Sequence, residues 1–135
     1  MAFFDWDDKY SVGIMSIDQQ HKKLFEVISN FYELIRQKEI NRAMSEVIEG
    51  LIGYAETHFA TEEDYMKRYR YPLYERHQAK HAKFVEEITD FQTRFQAGKL
   101  VIPIEIANFL KDWLSNHVLE EDQRYAPFFQ AKGLK

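Results

Sequence analysis

The sequence contains no cysteine. That excludes a disulfide framework, an iron–sulfur cluster, a thiolate zinc site and a cysteine nucleophile, so any bound metal is held by nitrogen and oxygen ligands. Glycine and proline are scarce, at five and three residues, which argues for long helices rather than a turn-rich β fold. There is no excess of positive charge. Eighteen Lys and Arg stand against 22 Asp and Glu, a net charge of −4, which speaks against a nucleic-acid partner. No stretch approaches the ~18 consecutive apolar residues of a membrane span. The first stretch carries Asp5, Asp7, Asp8 and Asp18 without an apolar run, unlike a secretory leader, and a cytoplasmic location is expected. What is present is 45% hydrophobic and 16% aromatic residues in a chain of 135. That excludes a disordered polymer and suits one domain with one core.

The apolar residues fall at helical spacing. Leu24, Phe25, Ile28, Tyr32 and Ile35 share one face, and predict a helix over about 17–37 with Ser16 and Gln19 as a capping box. Asn41 reads as the N-cap of a second helix, about 41–70, whose stripe includes Met44, Val47, Ile48, Leu51, Ala55, Tyr65, Met66 and Tyr69. Gly50 and Gly53 weaken it by roughly 1 kcal/mol each relative to alanine. Phe84, Ile88, Phe91 and Phe95 mark a third helix over about 73–96, with Gly98 as its stop. Pro103 suits the first turn of a fourth, about 103–118, carrying Ile106, Leu110, Trp113 and Leu114. Pro127 and Gly133 point to a short, less regular C-terminal segment, 119–135. The simplest assembly is all-α: an antiparallel up-down-up-down four-helix bundle in a single domain, 1–135. The N-terminal arm, 1–16, carries Phe3, Phe4, Trp6 and Tyr10 and is expected to pack over the bundle.

All five histidines lie on the apolar stripes. His21 precedes Leu24, Phe25 and Ile28; His58 follows Leu51 and Ala55, with Glu62 one turn further on; His77 and His81 continue into Phe84 and Ile88; His117 follows Leu110, Trp113 and Leu114. Singly, each reads most simply as a core or boundary residue. Together, five imidazoles and a carboxylate among aromatic side chains are costly to bury unless they are paired. Lysine and arginine can pair with the carboxylate but not with the imidazoles, whereas a metal cluster satisfies all of them. The number of donors exceeds the four of a tetrahedral zinc and suits two metals of higher coordination. No H-E-x-x-H stretch is present. No histidine has a glutamate three residues before it, as the ferritin-like diiron sites require.

The order His21, His58 with Glu62, His77 with His81, and His117 with Asp122 resembles the hemerythrin family. The opening Trp6-Asp7-Asp8-Lys9-Tyr10-Ser11-Val12-Gly13-Ile14 and Ile17-Asp18-Gln19-Gln20-His21 resemble its bacterial branch, and the likeness spans nearly the whole chain. The resemblance implies two non-heme irons. His77, His81 and His117 would hold one; His21 and His58 would hold the other, which keeps an open position for dioxygen. Glu62, Asp122 and a single oxygen atom would bridge them. Leu24, Phe59, Trp113 and Leu114 match positions that wall the dioxygen pocket in the family, though each also reads as ordinary core. Asp122 lies five residues after His117, about 140° round a straight helix, whereas Glu121 would face the site better. Following the family pattern therefore requires the helix to break or tighten within 118–122 and leaves Glu121 as a solvated charge.

The implied activity is reversible dioxygen binding for transport or storage, by an oxygen-binding protein rather than an enzyme, with an oxygen-consuming partner as recipient. Apolar residues absorbed by one bundle core point to a monomer. The alternatives are an oxygen or nitric oxide sensing module, for which little chain follows Pro127, and peroxide or nitric oxide turnover, for which Tyr54, Tyr65 and Tyr125 are the available proton donors.

Overall fold

The computed structural model describes residues 3–135. Four long helices make the bundle: α1 (Met15–Arg36), α2 (Ile48–Arg68), α3 (Tyr74–Gln96) and α4 (Pro103–His117). One helical turn (Ile40–Arg42) and a π-turn (Ala43–Val47) lead into α2. A second π-turn (Val118–Asp122) joins α4 to a short helix, α5 (Gln123–Ala131). No strand occurs among the described residues. α1 packs against α2 and α4, and α2 against α3. The short links between successive helices make them antiparallel neighbours.

The corners share one closure. Gly98 has φ +75°, its N–H donates to Phe95 O, and Lys99 N–H donates to Arg94 O. This is the paired hydrogen bonding of a left-handed helix stop. Lys38 (φ +62°) and Arg70 (φ +57°) close α1 and α2 in the same way, with Glu39 N–H on Leu34 O and Tyr71 N–H on Met66 O. Pro103 opens α4 in its first turn.

Three local expectations are corrected. α1 begins after Ile14 with no side-chain cap, and Ser16 instead faces Tyr65 at 3.3 Å. Its first-turn acid, Asp18, reaches back to accept from Val12 N–H and the Ser11 hydroxyl, so the helix start is tied to the arm and needs no capping box. Asn41 is not a cap either, because the Lys38 closure is followed at once by helix from Ile40. The C-terminal segment is helical over Gln123–Ala131 despite Pro127. Burial of Tyr125, Ala126 and Phe129 outweighs the single backbone hydrogen bond that the proline removes.

The arm packs as its aromatic content implies. Phe4 stacks on Phe25 at 3.8 Å and Phe3 on Tyr32 at 4.1 Å. Ser29 Oγ accepts from Phe4 N–H and donates to Phe4 O.

The buried apolar residues form two clusters. The larger runs through the bundle and includes Leu24, Phe25, Leu51, Phe59, Phe84, Ile88, Leu110 and Leu114. The smaller gathers Val12, Ile14, Ile17, Met66, Tyr71, Tyr125, Ala126 and Phe129. Along α1 the order is Ile17, His21, Leu24, and along α2 it is Phe59, Glu62, Met66. From α4 to α5 it is Leu114, His117, Asp122, Tyr125. A polar layer thus lies between the two cores.

Candidate metal centre

Every helix of the bundle contributes to that layer. α1 supplies His21; α2 supplies His58 and Glu62, one turn apart; α3 supplies His77 and His81, also one turn apart; α4 ends on His117; and the second π-turn ends on Asp122. None of the seven is more than 5% exposed. The spacing that puts each imidazole on an apolar stripe is what carries it inward.

Asp122 stands at the middle. Its Oδ1 lies 2.9 Å from His77 Nε2 and 3.1 Å from His117 Nε2, and its Oδ2 lies 3.1 Å from His21 Nε2. Glu62 Oε1 lies 3.3 Å from both His58 Nε2 and His81 Nε2, and Oε2 lies 3.8 Å from His21 Nε2. His117 Nε2 is 3.1 Å from the Nε2 atoms of both His81 and His77. Two sets of converging donors result: Glu62, His77, His81, His117 and Asp122 in one, His21, His58 and Glu62 in the other.

The π-turn explains how Asp122 reaches this position. A π-turn closes i to i+5 instead of i+4, so it accommodates one residue more than an α-turn. Five residues then bring Asp122 back to the side of His117. The chain widens here, where a break or a tightening was expected. Glu121 is the second correction: it is 4% exposed rather than solvated. Arg76 lies 2.9 Å and Lys80 3.7 Å from its Oε1. Burial opposes its charge, but Arg76 and Lys80 prevail and hold the carboxyl below its ordinary range.

The electrostatics are those of a closely coupled charge cluster. Burial and the like charge of Asp122 both work against the Glu62 carboxylate, yet His58 and His81 hold it well below the usual range. Burial likewise opposes Asp122, and His117, His21 and His77 overcome it. Burial lowers His58. It also opposes the charged form of His21, but Asp122, Glu62 and Asp18 raise that imidazole. Burial pushes the Tyr125 hydroxyl well above its ordinary value, aided by Asp122 and Glu62.

The donors fit metal ions. Both nitrogens of His21, Oε1 of Glu62 and both oxygens of Asp122 are buried without a hydrogen-bond partner. Their neighbours are close but not aligned to share protons. Each such atom costs about 1–3 kcal/mol when left unsatisfied, and cations placed among them would satisfy the whole layer. The imidazole contacts agree, because nitrogens on adjacent corners around a metal at ~2.1 Å fall ~3.0 Å apart.

Outside the seven, the structure brings in residues that the periodicity did not single out. Gln20 Oε1 accepts from His58 Nδ1 at 2.6 Å, and Glu63 Oε2 lies 2.9 Å from His81 Nδ1. The Tyr125 hydroxyl donates to Glu62 Oε2. For Gln20 and Glu63 the signal was adjacency: Gln20 precedes His21 and Glu63 follows Glu62, but each serves a histidine on another helix. Of the three tyrosines named as available proton donors, Tyr125 is the one that bonds Glu62. Of the four wall residues, Phe59 stacks on His81 at 3.8 Å with an interplanar angle of 7°. Trp113 stacks on His117 at 4.4 Å and is partly buried. Leu24 and Leu114 are buried in the larger core, three residues after His21 and three before His117.

A helical bundle with five imidazoles and two carboxylates in one buried layer defines a nitrogen-rich, non-heme metal protein. The profile of the Hemerythrin HHE cation binding domain matches residues 12–129. A bacteriohemerythrin of Stenotrophomonas maltophilia is 36% identical over 127 residues, covering 93% of this chain and 81% of that protein. One of Clostridium acetobutylicum is 32% identical over 129 residues, covering 90% and 98%. A crystal structure of wild-type hemerythrin superimposes with a TM-score of 0.88 at 28% identity, covering 93% of this chain and 97% of the other. The chain belongs to the hemerythrin family. Members of that family are oxygen-binding proteins with a diiron centre. No helix among the described residues is long and apolar enough to cross a membrane.

Proposed function

We propose that the protein binds dioxygen reversibly at its diiron centre, for transport or storage. The observation that carries this reading is the inequality of the two donor groups about Asp122. His77 and His117 face Oδ1, with His81 beside them, while His21 faces Oδ2 and stands with His58. On this reading His77, His81 and His117 fill one subsite. His21 and His58 would hold the iron at the other, where dioxygen would bind, and Glu62 and Asp122 would contribute to both.

When bound, the iron pair would supply the redox chemistry that makes dioxygen capture possible and its release reversible. Five neutral imidazoles against two carboxylates keep the donor set low in negative charge, which favours the ferrous form and holds the chemistry short of oxygenation. Phe59, Leu24, Leu114 and Trp113 supply apolar surface beside the imidazoles and keep water from the site. Tyr125 keeps its proton and donates a hydrogen bond to Glu62, which orients that carboxylate. We read the chain as a monomer acting in the cytoplasm and releasing oxygen to an oxygen-consuming partner.

The test is a cycling experiment. Protein loaded anaerobically with ferrous iron is exposed to oxygen and then degassed. A visible charge-transfer absorption should appear and fade over repeated cycles. Irreversible conversion to the ferric form in the first cycle would defeat the reading, and iron well below two per chain would defeat the site assignment.

A further inference from the structure

We propose that Glu63 and Gln20 are positioning residues that give the two metal subsites different redox preferences, so that the three-histidine iron is oxidised first. The inference rests on the division of ligands set out above. It does not depend on whether oxygen binding is reversible.

Each subsite has one imidazole whose far nitrogen meets a side-chain acceptor, and the two acceptors differ in charge. His81 Nδ1 meets the Glu63 carboxylate at 2.9 Å, and His58 Nδ1 meets the Gln20 amide oxygen at 2.6 Å. His21 Nδ1 is buried and has no partner. Among the described residues, Glu63 is the carboxylate bonded to the far side of a ligand imidazole. The other nearby acids are otherwise engaged. Asp18 is bound to Ser11 and Val12, and Glu121 to Arg76 and Lys80. Glu63 is 20% exposed on its side chain, so its charge is only partly screened.

An imidazole that donates to a carboxylate becomes a stronger electron donor than one that donates to an amide. Stronger donation favours the higher charge on the metal, so His81 stabilises ferric iron more than His58 does. On oxidation by an outer-sphere one-electron acceptor, the first electron leaves the three-histidine iron and the second leaves the two-histidine iron, with no bond made or broken. The side that takes dioxygen therefore stays ferrous longest.

The experiment is a redox titration of the diiron protein, following its absorption with ferricyanide and dithionite as titrants. The wild type should show two one-electron steps. Glu63→Gln should raise the lower potential, and Gln20→Glu should lower the upper one. Each should reduce the comproportionation constant of the half-oxidised form by about tenfold, the lower end of outer-shell effects, which is about 59 mV for a one-electron couple. Both changes are isosteric. If Glu63→Gln fails to hold iron, Gln20→Glu decides alone. A purely structural role would move both couples together or leave both in place, and either result overturns the proposal. A wild type that fails to oxygenate reversibly, with these opposite shifts present in the variants, would refute the proposed function and leave this inference standing.

Discussion

Phe59 covers one face of His81, a proposed iron ligand, and removing its ring tests what the apolar wall does. The ring is 4% exposed and lies parallel to His81 at 3.8 Å. A groove of about 450 Å³ runs between α2 and α3 and is lined by both rings, together with Ala60, Ala82 and Val85. Truncating a buried Phe to Ala costs about 3–5 kcal/mol. The space freed here joins an open groove and fills with water, which relieves part of the cavity term and places Phe59→Ala near 3 kcal/mol. For a chain of this length that is roughly 10 °C in Tm. The same water reaches the face of His81, and the oxygenated protein should convert to the ferric form about tenfold faster, the effect of ~1.4 kcal/mol off a barrier. Thermal unfolding and the decay of the oxygenated absorption band measure the two effects. Ile88→Ala is the control: Ile88 is fully buried, lies two turns beyond His81 and costs a similar 2–5 kcal/mol. If Ile88→Ala accelerates oxidation as much as Phe59→Ala does, general loosening is the cause and the shielding argument is wrong.

Asp122→Asn and Glu121→Gln should separate cleanly. The first should abolish full iron loading by metal analysis. The second should leave loading intact and cost about 1 kcal/mol in denaturant unfolding, a small figure because Arg76 and Lys80 are about half exposed. In the metal-free protein, burial opposes the charged form of His81, but its bonds to Glu62 and Glu63 raise its pKa to about 9. A raised imidazole stabilises fully below its unfolded value near 6.5 and loses that contribution as pH climbs through 9. Unfolding in chelator should therefore show roughly 3 kcal/mol of stability lost between pH 6 and pH 9; unchanged stability over that window would contradict the charge assignment. Because a metal needs the neutral ring, zinc uptake at pH 7 should also release a proton, detectable by pH-stat, and the yield should fall by pH 9. Gly13 has φ +72°, and an added Cβ would meet the Gln130 side chain that donates to Val12 O. Gly13→Ala should cost about 1–2 kcal/mol from left-handed strain without altering the iron spectrum.

The bundle was legible because helical periodicity is a strong signal in long segments with few breakers. Pro103 and Gly98 marked a start and a stop through their own backbone chemistry. Lys38 and Arg70 play the same left-handed role as Gly98, but neither residue type announces it. The layer of imidazoles was legible because each histidine sits in phase with apolar neighbours on its own helix. Gln20 and Glu63 were not, because their partners lie on other helices, and interhelical register is not written in the period of either one. The π-turn had no local signal either. Only the demand for an oxygen ligand five residues after His117 pointed to an irregularity there, and it did not say that the helix would widen. Glu121 was misplaced because its cationic partners lie on α3.

The polar layer between the two apolar clusters divides the molecule into two independently sealed blocks. The smaller block joins Val12 and Ile14 at the end of the arm, the start of α1, the end of α2 and α5 through a handful of side chains. What joins it to the rest is helix backbone and the charged layer itself. Metal binding is folding free energy when its ligands come from separate segments. With the proposed ligands, iron would tie all four bundle helices and the second π-turn together at the divide and fuse two cooperative units into one. Without iron, amide exchange should become fastest first in Gln123–Ala131 and the adjoining residues 11–14, with the larger block still closed.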